Sequence, residues 1–372
     1  MADSHQRISE KVGIFMENVQ RLPAEDGFSK ELERLKEVDK ATKPTGWSLS
    51  PEMVRLFILG GEINGQTISR KIYGNDDIIE KAIVTLIGQR GLLLAGEPGT
   101  AKSMLSELLA AAISGNSKLT VQGSAGIVEE NIRYGWNYAL LLKSGPSLDA
   151  LVPGPLYQSM LQGQIMRFEE LTRCPTEIQD NLIPVMSDKI LHIPEIADEQ
   201  LSFQLAKPGF NIIATANLKD RGVNEMSSAL KRRFNFLTMH PLSKLSDQVS
   251  LINGEVNKQL ESQNIAIQLD NQVTEVLATA FKDLREGSVE GQAIDKPNAI
   301  MSMAEAIEVG FTASVHAHYF GNNAVTPHNI ADQLIGTVIK DDEDDIKRFK
   351  SYLKTVSRKR SSSEWQNFSG NA

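Results

Sequence analysis
With 372 residues, 41% hydrophobic and 23% charged, the chain has an ordinary globular composition and enough length for two domains, or one large domain with a satellite. A formal charge of -8 argues against a generally basic face for nucleic acid, and the single cysteine, Cys174, excludes an intrachain disulfide and any multi-cysteine metal site. No apolar run reaches the roughly 20 residues of a membrane helix, and the start MADSHQRISEKVGIF is charged early and lacks the apolar stretch of a secretory signal, so a cytoplasmic protein is expected.

Residues 1–45 are polar, with Val12, Phe15, Met16 and Val19 at helical spacing; they predict one amphipathic helix and then a linker running to KATKPTG. From 46 to 240 the pattern alternates between helices and strands. Ser50-Pro51 starts a helix that Gly60-Gly61 stops, and Ile78, Ile79, Ala82, Ile83 and Leu86 line one face of the next. That helix leads into GLLLAGEPGTAKSML, from Gly91 to Leu105. Leu92, Leu93 and Leu94 read as a buried strand, Gly96 to Lys102 as a turn, and Ser103 opens a helical pattern with Leu105, Leu108 and Leu109 on one face.

SKLTVQG (117–123) reads as a second strand. ENIRYGWNYALLL reads as a helix or an insertion whose Tyr134, Trp136 and Tyr138 are expected to be buried packing. After the Pro153-Gly154-Pro155 turn come a short helix, the strand 164–168, and a helix from Pro175 carrying Ile178, Leu182 and Val185. KILHIPEI and LSFQL suggest a β-hairpin, and 210–217 is a third apolar strand.

Beyond His240 the pattern is helical. QVTEVLATAFKDL, PNAIMSMAEAIEVGF and TPHNIADQLIG predict a small domain over 241–340, the last two helices with Pro at the first turn. The tail, 341–372, is an acidic block followed by a basic one and reads as a solvated helix that frays into disorder.

The turn carries the chemistry. Gly96, Glu97, Pro98, Gly99, Thr100, Ala101, Lys102 and Ser103 fit G-x-x-x-x-G-K-[ST] with Ala101 in place of the last glycine, a substitution that predicts φ < 0 there. In such a loop backbone N–H groups point at a polyphosphate, the helix N-terminus adds partial positive charge, Lys102 reaches the β- and γ-phosphates and the Ser103 hydroxyl binds Mg²⁺. Hydrolysis also needs a metal-holding carboxylate and a group that polarises water. Glu169 and Glu170, at the end of the 164–168 strand, supply both, and Asn217 closes 210–217 as an amide able to fix that water. Arg232 and Arg233 are candidates for a charge donated to a neighbour's site.

GEPGTAKS, VPGP (152–155), FEELTRCP (168–175), IIATAN, ALKRRF and VTPHNI (325–330) resemble, in order and spacing, the MoxR-type AAA+ ATPases, in particular the bacterial branch found beside SWIM-finger and von Willebrand A-domain proteins. The resemblance implies an α/β P-loop core with a parallel 5-1-4-3-2 sheet, an all-helical lid, and a hexameric ring hydrolysing Mg·ATP at subunit interfaces to remodel a protein client. It implies that Lys102 and Ser103 belong to Walker A and that Met104 follows them in contact with nucleotide. Glu170 becomes the catalytic Walker B glutamate, Asn217 sensor 1, Arg233 the finger, and Tyr73-Gly74 the segment against adenine. It also implies that the HIPEI and SFQL hairpin contacts partners or the pore. The sequence departs from the family pattern at Glu169, where aspartate is usual, at Arg167 in a strand that should be buried, and at Asn298, where a sensor arginine is usual. Glu169 and Asn298 keep open an ATP-binding scaffold that assembles and barely hydrolyses, and the tail from Lys347 to Arg360 keeps open a nucleic-acid motor.

Overall fold
The computed structural model describes residues 19–218, 222–299, 301–340 and 342–370. The helix expected from Val12 lies almost wholly outside them. The stretch expected to be linker is folded instead: Ser29–Val38 forms α1, which buries Leu32 and Leu35 at helical spacing. Its Glu31 accepts from the Lys71 ammonium at 2.5 Å. Pro51–Leu59 (α2) starts where expected, the Ser50 hydroxyl accepting from Met53 N–H, and Asp76–Ile87 (α3) buries the predicted face.

The core is a five-stranded parallel sheet of Gly91–Gly96 (β1), Thr120–Gln122 (β2), Ile165–Glu169 (β3), Asn211–Ala216 (β4) and Phe234–Met239 (β5). Its order is β5-β1-β4-β3-β2, the 5-1-4-3-2 arrangement implied by the resemblance. Both faces are covered, as a parallel sheet requires. Alternation sends Leu92 and Leu94 of β1 into one cluster with α1, α2, α3 and Lys102–Ser114 (α4), while Leu93 and Ala95 enter a second with Leu156, Met160, Leu182 and Val185.

Several local expectations are corrected. Tyr134 is buried and packs edge-on against the half-buried Trp136, but Tyr138 is 66% exposed on a helix, Tyr138–Ser144, that buries no residue. The helix expected from Pro175 is two, Thr176–Asp180 and Leu182–Asp188. Pro184 has no N–H to give the Asp180 carbonyl, so the chain restarts and places it in a first turn. The expected hairpin forms, Ile190–His192 pairing antiparallel with Phe203–Leu205.

The chain divides into two compact units, one reaching Met239 and the other from His240 onward, the latter taking in Glu97–Thr100. The second unit packs Leu245–Ser262 (α5), Asn271–Glu286 (α6), Met303–Phe320 (α7) and Pro327–Thr337 (α8) around one apolar core. The α7 helix begins at the Ser302–Glu305 capping box and not at Pro297 as the proline suggested. The tail is not solvated. Glu343–Lys359 (α9) and Ser363–Ser369 (α10) bury Phe349, Tyr352, Val356 and Phe368 in that core. No helix among the described residues is long and apolar enough to cross a membrane.

Candidate nucleotide site
The loop between β1 and α4 forms as a turn at the C-terminal end of β1, between β5 and β4, at the edge of the sheet where ligands bind in open α/β sheets. Gly96 and Gly99 have φ of 156° and 74°, conformations glycine adopts without strain. Ala101 does not have the negative φ expected of it. At 61° it is left-handed and N-terminal to α4, a conformation that costs a residue with a Cβ roughly 1–2 kcal/mol. Thr100 Oγ1 donates to the Glu97 carbonyl at 2.8 Å and Lys102 Nζ to the Gly96 carbonyl at 2.9 Å, so the lysine folds back over the loop. Met104 is 37% exposed.

The end of β3 places the two glutamates in different surroundings. Glu169 is buried, and its carboxylate accepts from Ser103 Oγ (2.7 Å), Thr215 Oγ1 (2.8 Å), Ser106 Oγ (2.5 Å) and the Arg167 guanidinium (2.8 Å). Burial pushes its pKa up; the Ser106 hydrogen bond, the Arg167 charge and the Ser103 and Thr215 hydroxyls outweigh it and hold the carboxyl below its ordinary value. Glu170 stands at the strand end with φ 54°, more exposed, its Oε2 accepting from Arg173 Nε at 2.8 Å and Gln122 Nε2 at 3.2 Å. Its N–H donates to Thr215 Oγ1, so one β4 hydroxyl touches both glutamates.

Asn217 follows β4 directly, at the same edge of the sheet. Tyr73 and Gly74 precede α3, the half-buried tyrosine ring lying 5.6 Å from the Arg70 guanidinium. Arg232 and Arg233 stand at the other end of the sheet. The Arg233 carbonyl accepts from the N–H of Gly91, the first residue of β1, and its side chain donates to Ser187 Oγ and the Ala229 carbonyl. The length of β1, roughly 16 Å at 3.3 Å per residue, separates it from the loop of its own chain. Arg232 is exposed. In the second unit Asn298 is occupied within its own fold, its N–H and side-chain amide bonded to Asp345 and Asp342.

The family model for AAA domains of the dynein-related subfamily matches residues 91–234, and the model for the C-terminal domain of YehL-like AAA+ ATPases matches 246–369. The YehL protein of Escherichia coli K12 is 46% identical over 349 residues, covering 94% of this chain and 96% of that one. The chain belongs to the YehL-like AAA+ ATPases. A protein of Staphylococcus haemolyticus is 25% identical over 226 residues, 60% of this chain and 79% of that one. In fold, NtrX from Brucella abortus is similar with a TM-score of 0.50 at 14% identity, covering 86% of this chain and 66% of NtrX.

Sequence reasoning about this YehL-like ATPase missed the groups that surround the glutamates. Ser106, Thr215, Gln122 and Arg173 are ordinary residue types; the register of β3 between β2 and β4 brings in Gln122 and Thr215, helix α4 carries Ser106 over the same face, and the turn after β3 returns Arg173 to Glu170. Gly123 was missed too: a Cβ there would lie 2.3 Å from the Glu170 carbonyl oxygen, so the chain can pass the strained glutamate only as glycine. Arg167 was the one visible signal, a charge in a strand buried along its whole length.

Proposed function
We propose that this YehL-like ATPase hydrolyses Mg·ATP between the subunits of a homo-oligomeric ring and uses the turnover to remodel or help assemble a protein client. The observation that carries the reading is the separation of roles at the end of β3: one glutamate buried on the Ser103 hydroxyl, the next held out at the sheet edge. Ser103 and Glu169 bring a hydroxyl and an ionised carboxylate within 2.7 Å, a hard oxygen set that fits Mg²⁺, which when bound neutralises charge on the β- and γ-phosphates. Among the described residues no cluster of three or more His, Cys, Asp or Glu offers a rival metal site.

In this reading the loop N–H groups and Lys102 hold the phosphates, Glu170 takes up the proton of the attacking water, Asn217 orients that water, and Tyr73-Gly74 lie against the base. Arg233, a strand length from its own loop, suits a neighbour's site better than its own. The hexameric ring, the MoxR-type branch, the cytoplasmic location and a von Willebrand A-domain client are part of the proposal by family resemblance. A weakly hydrolysing scaffold is the second reading, favoured by the hold of Arg173 and Gln122 on the Glu170 carboxylate. The nucleic-acid reading loses a support, because Arg360 is spent on Asp283 at 2.7 Å.

Steady-state ATP hydrolysis with and without DNA, beside Glu170→Gln, tests the proposal. It expects Mg²⁺-dependent turnover indifferent to DNA in the parent and at least about a hundredfold less in the variant, with ATP binding kept. No turnover in a parent that binds ATP would support the scaffold instead.

A further inference from the structure
Arg167 and Glu169 are an unusual pair to find in the middle of a parallel sheet. Every residue of β3 is buried, and alternation puts these two on the same face, the one that α4 covers. A buried arginine is costly unless its donors are used. Here Nε donates to Ser106 Oγ (3.0 Å), one terminal nitrogen to the Ser117 carbonyl (3.1 Å), and the other to the Ser103 carbonyl (3.2 Å) and Glu169 Oε1 (2.8 Å). The carboxylate is divided in the same way. Oε1 faces Arg167 and Ser106, while Oε2 faces the Ser103 and Thr215 hydroxyls.

We propose that Arg167 and Glu169 are a length-matched pair in which Arg167 is a positioning residue, holding the longer carboxylate on the Ser103 hydroxyl and so setting how strongly the site takes Mg²⁺ together with ATP. Ser103 is gripped at both ends, its carbonyl by Arg167 and its hydroxyl by Glu169. An aspartate at 169, one methylene shorter, must give up either Arg167 or Ser103. An apolar residue at 167 leaves Oε1 with the Ser106 hydroxyl and removes the guanidinium that pairs with the buried carboxylate. The two positions therefore change well only together. This inference rests on the nucleotide-site reading above.

The test is binding of a fluorescent ATP analogue to the full chain, in Mg²⁺ and in EDTA, across a double-mutant cycle. Arg167→Met and Glu169→Asp should each cut the Mg²⁺-dependent gain in affinity about tenfold or more, and binding in EDTA should change by no more than about twofold. The double variant should recover most of the gain, and Arg167→Lys should lie between parent and Arg167→Met. Losses that multiply in the double variant would overturn the pairing, and so would an equal loss in Mg²⁺ and EDTA, the mark of a purely structural role. If Arg167→Met alone melts too early to assay, the double variant must still fold and bind, and its failure would count against the pair. A parent that binds the analogue with no help from Mg²⁺ would instead overturn the metal-site reading itself.

Discussion
Glu170 and Ala101 both stand in left-handed backbone, and both flank the phosphate loop's chemistry. Strain of this kind persists only where the surroundings over-determine it, and it clusters at functional sites. At Ala101 the consequence is simple: Ala101→Gly should leave stability unchanged or raise it by up to about 1 kcal/mol, read from the denaturant midpoint, and a loss of more than that would mean the loop needs the methyl group. Lys102→Ala should abolish productive Mg·ATP binding, because the ammonium that folds over the loop is lost; parental affinity by titration would refute the phosphate-loop assignment. Glu169 gives a pH signature. Its folded pKa lies below the ordinary 4.5, so its contribution to stability is present above that pH and is lost as pH falls through the folded value. Replacing it by glutamine should flatten the acid limb of the stability profile, and an unchanged slope would show that other carboxylates set it.

Among elements, those with one dominant period were legible and those whose signals competed were not. The strands β1, β3 and β4 announce themselves as short apolar runs, α2 by its Ser-Pro start and Gly-Gly stop, and α3 and α6 by a helical stripe, while β5, behind two arginines, carries no such signal and is not predicted from the sequence. The tail was misread because charge blocks at its ends drew attention away from Phe349, Tyr352 and Val356, spaced by one and two turns between them. Those blocks belong to a packed helix: Glu343, Asp344 and Asp345 sit at its N-terminus and Arg358 and Lys359 at its C-terminus, where the macrodipole favours them. Just beyond, Arg360 reaches back to Asp283, which also accepts from the buried Tyr352 hydroxyl. Burial pushes the Asp283 carboxyl above its ordinary value even with Arg360 beside it, so the pair is costlier to break than it is a source of net stability. Arg360→Ala should therefore destabilise the helical unit by about 3 kcal/mol in denaturant unfolding, where a solvated tail would lose about 0.5 kcal/mol or less.

For the whole molecule, the separation of Arg233 from its own loop is what the sequence could not show, since chain order says nothing about which end of a sheet a residue reaches. The loop from Gly96 to Ser103 and the two glutamates stood out by residue type and spacing, and Arg167 by its charge in an apolar strand; Ser106, Thr215 and Gln122 did not, because they reach the glutamates from α4, β4 and β2 only once the sheet and its covering helix are packed. The central claim, ATP hydrolysis completed across a subunit interface, is tested most directly by measuring ATP turnover in mixtures of Arg233→Ala and Glu170→Gln subunits. Each variant alone should be nearly inactive, since arginine fingers contribute about 10³ to 10⁵ in rate. Where the intact arginine of a Glu170→Gln subunit faces the intact pocket of an Arg233→Ala subunit, every group is present, so activity should return on mixing. No recovery in mixtures shown by native mass measurement to form joint rings would contradict the account, and substantial turnover by Arg233→Ala alone would move the role to the exposed Arg232.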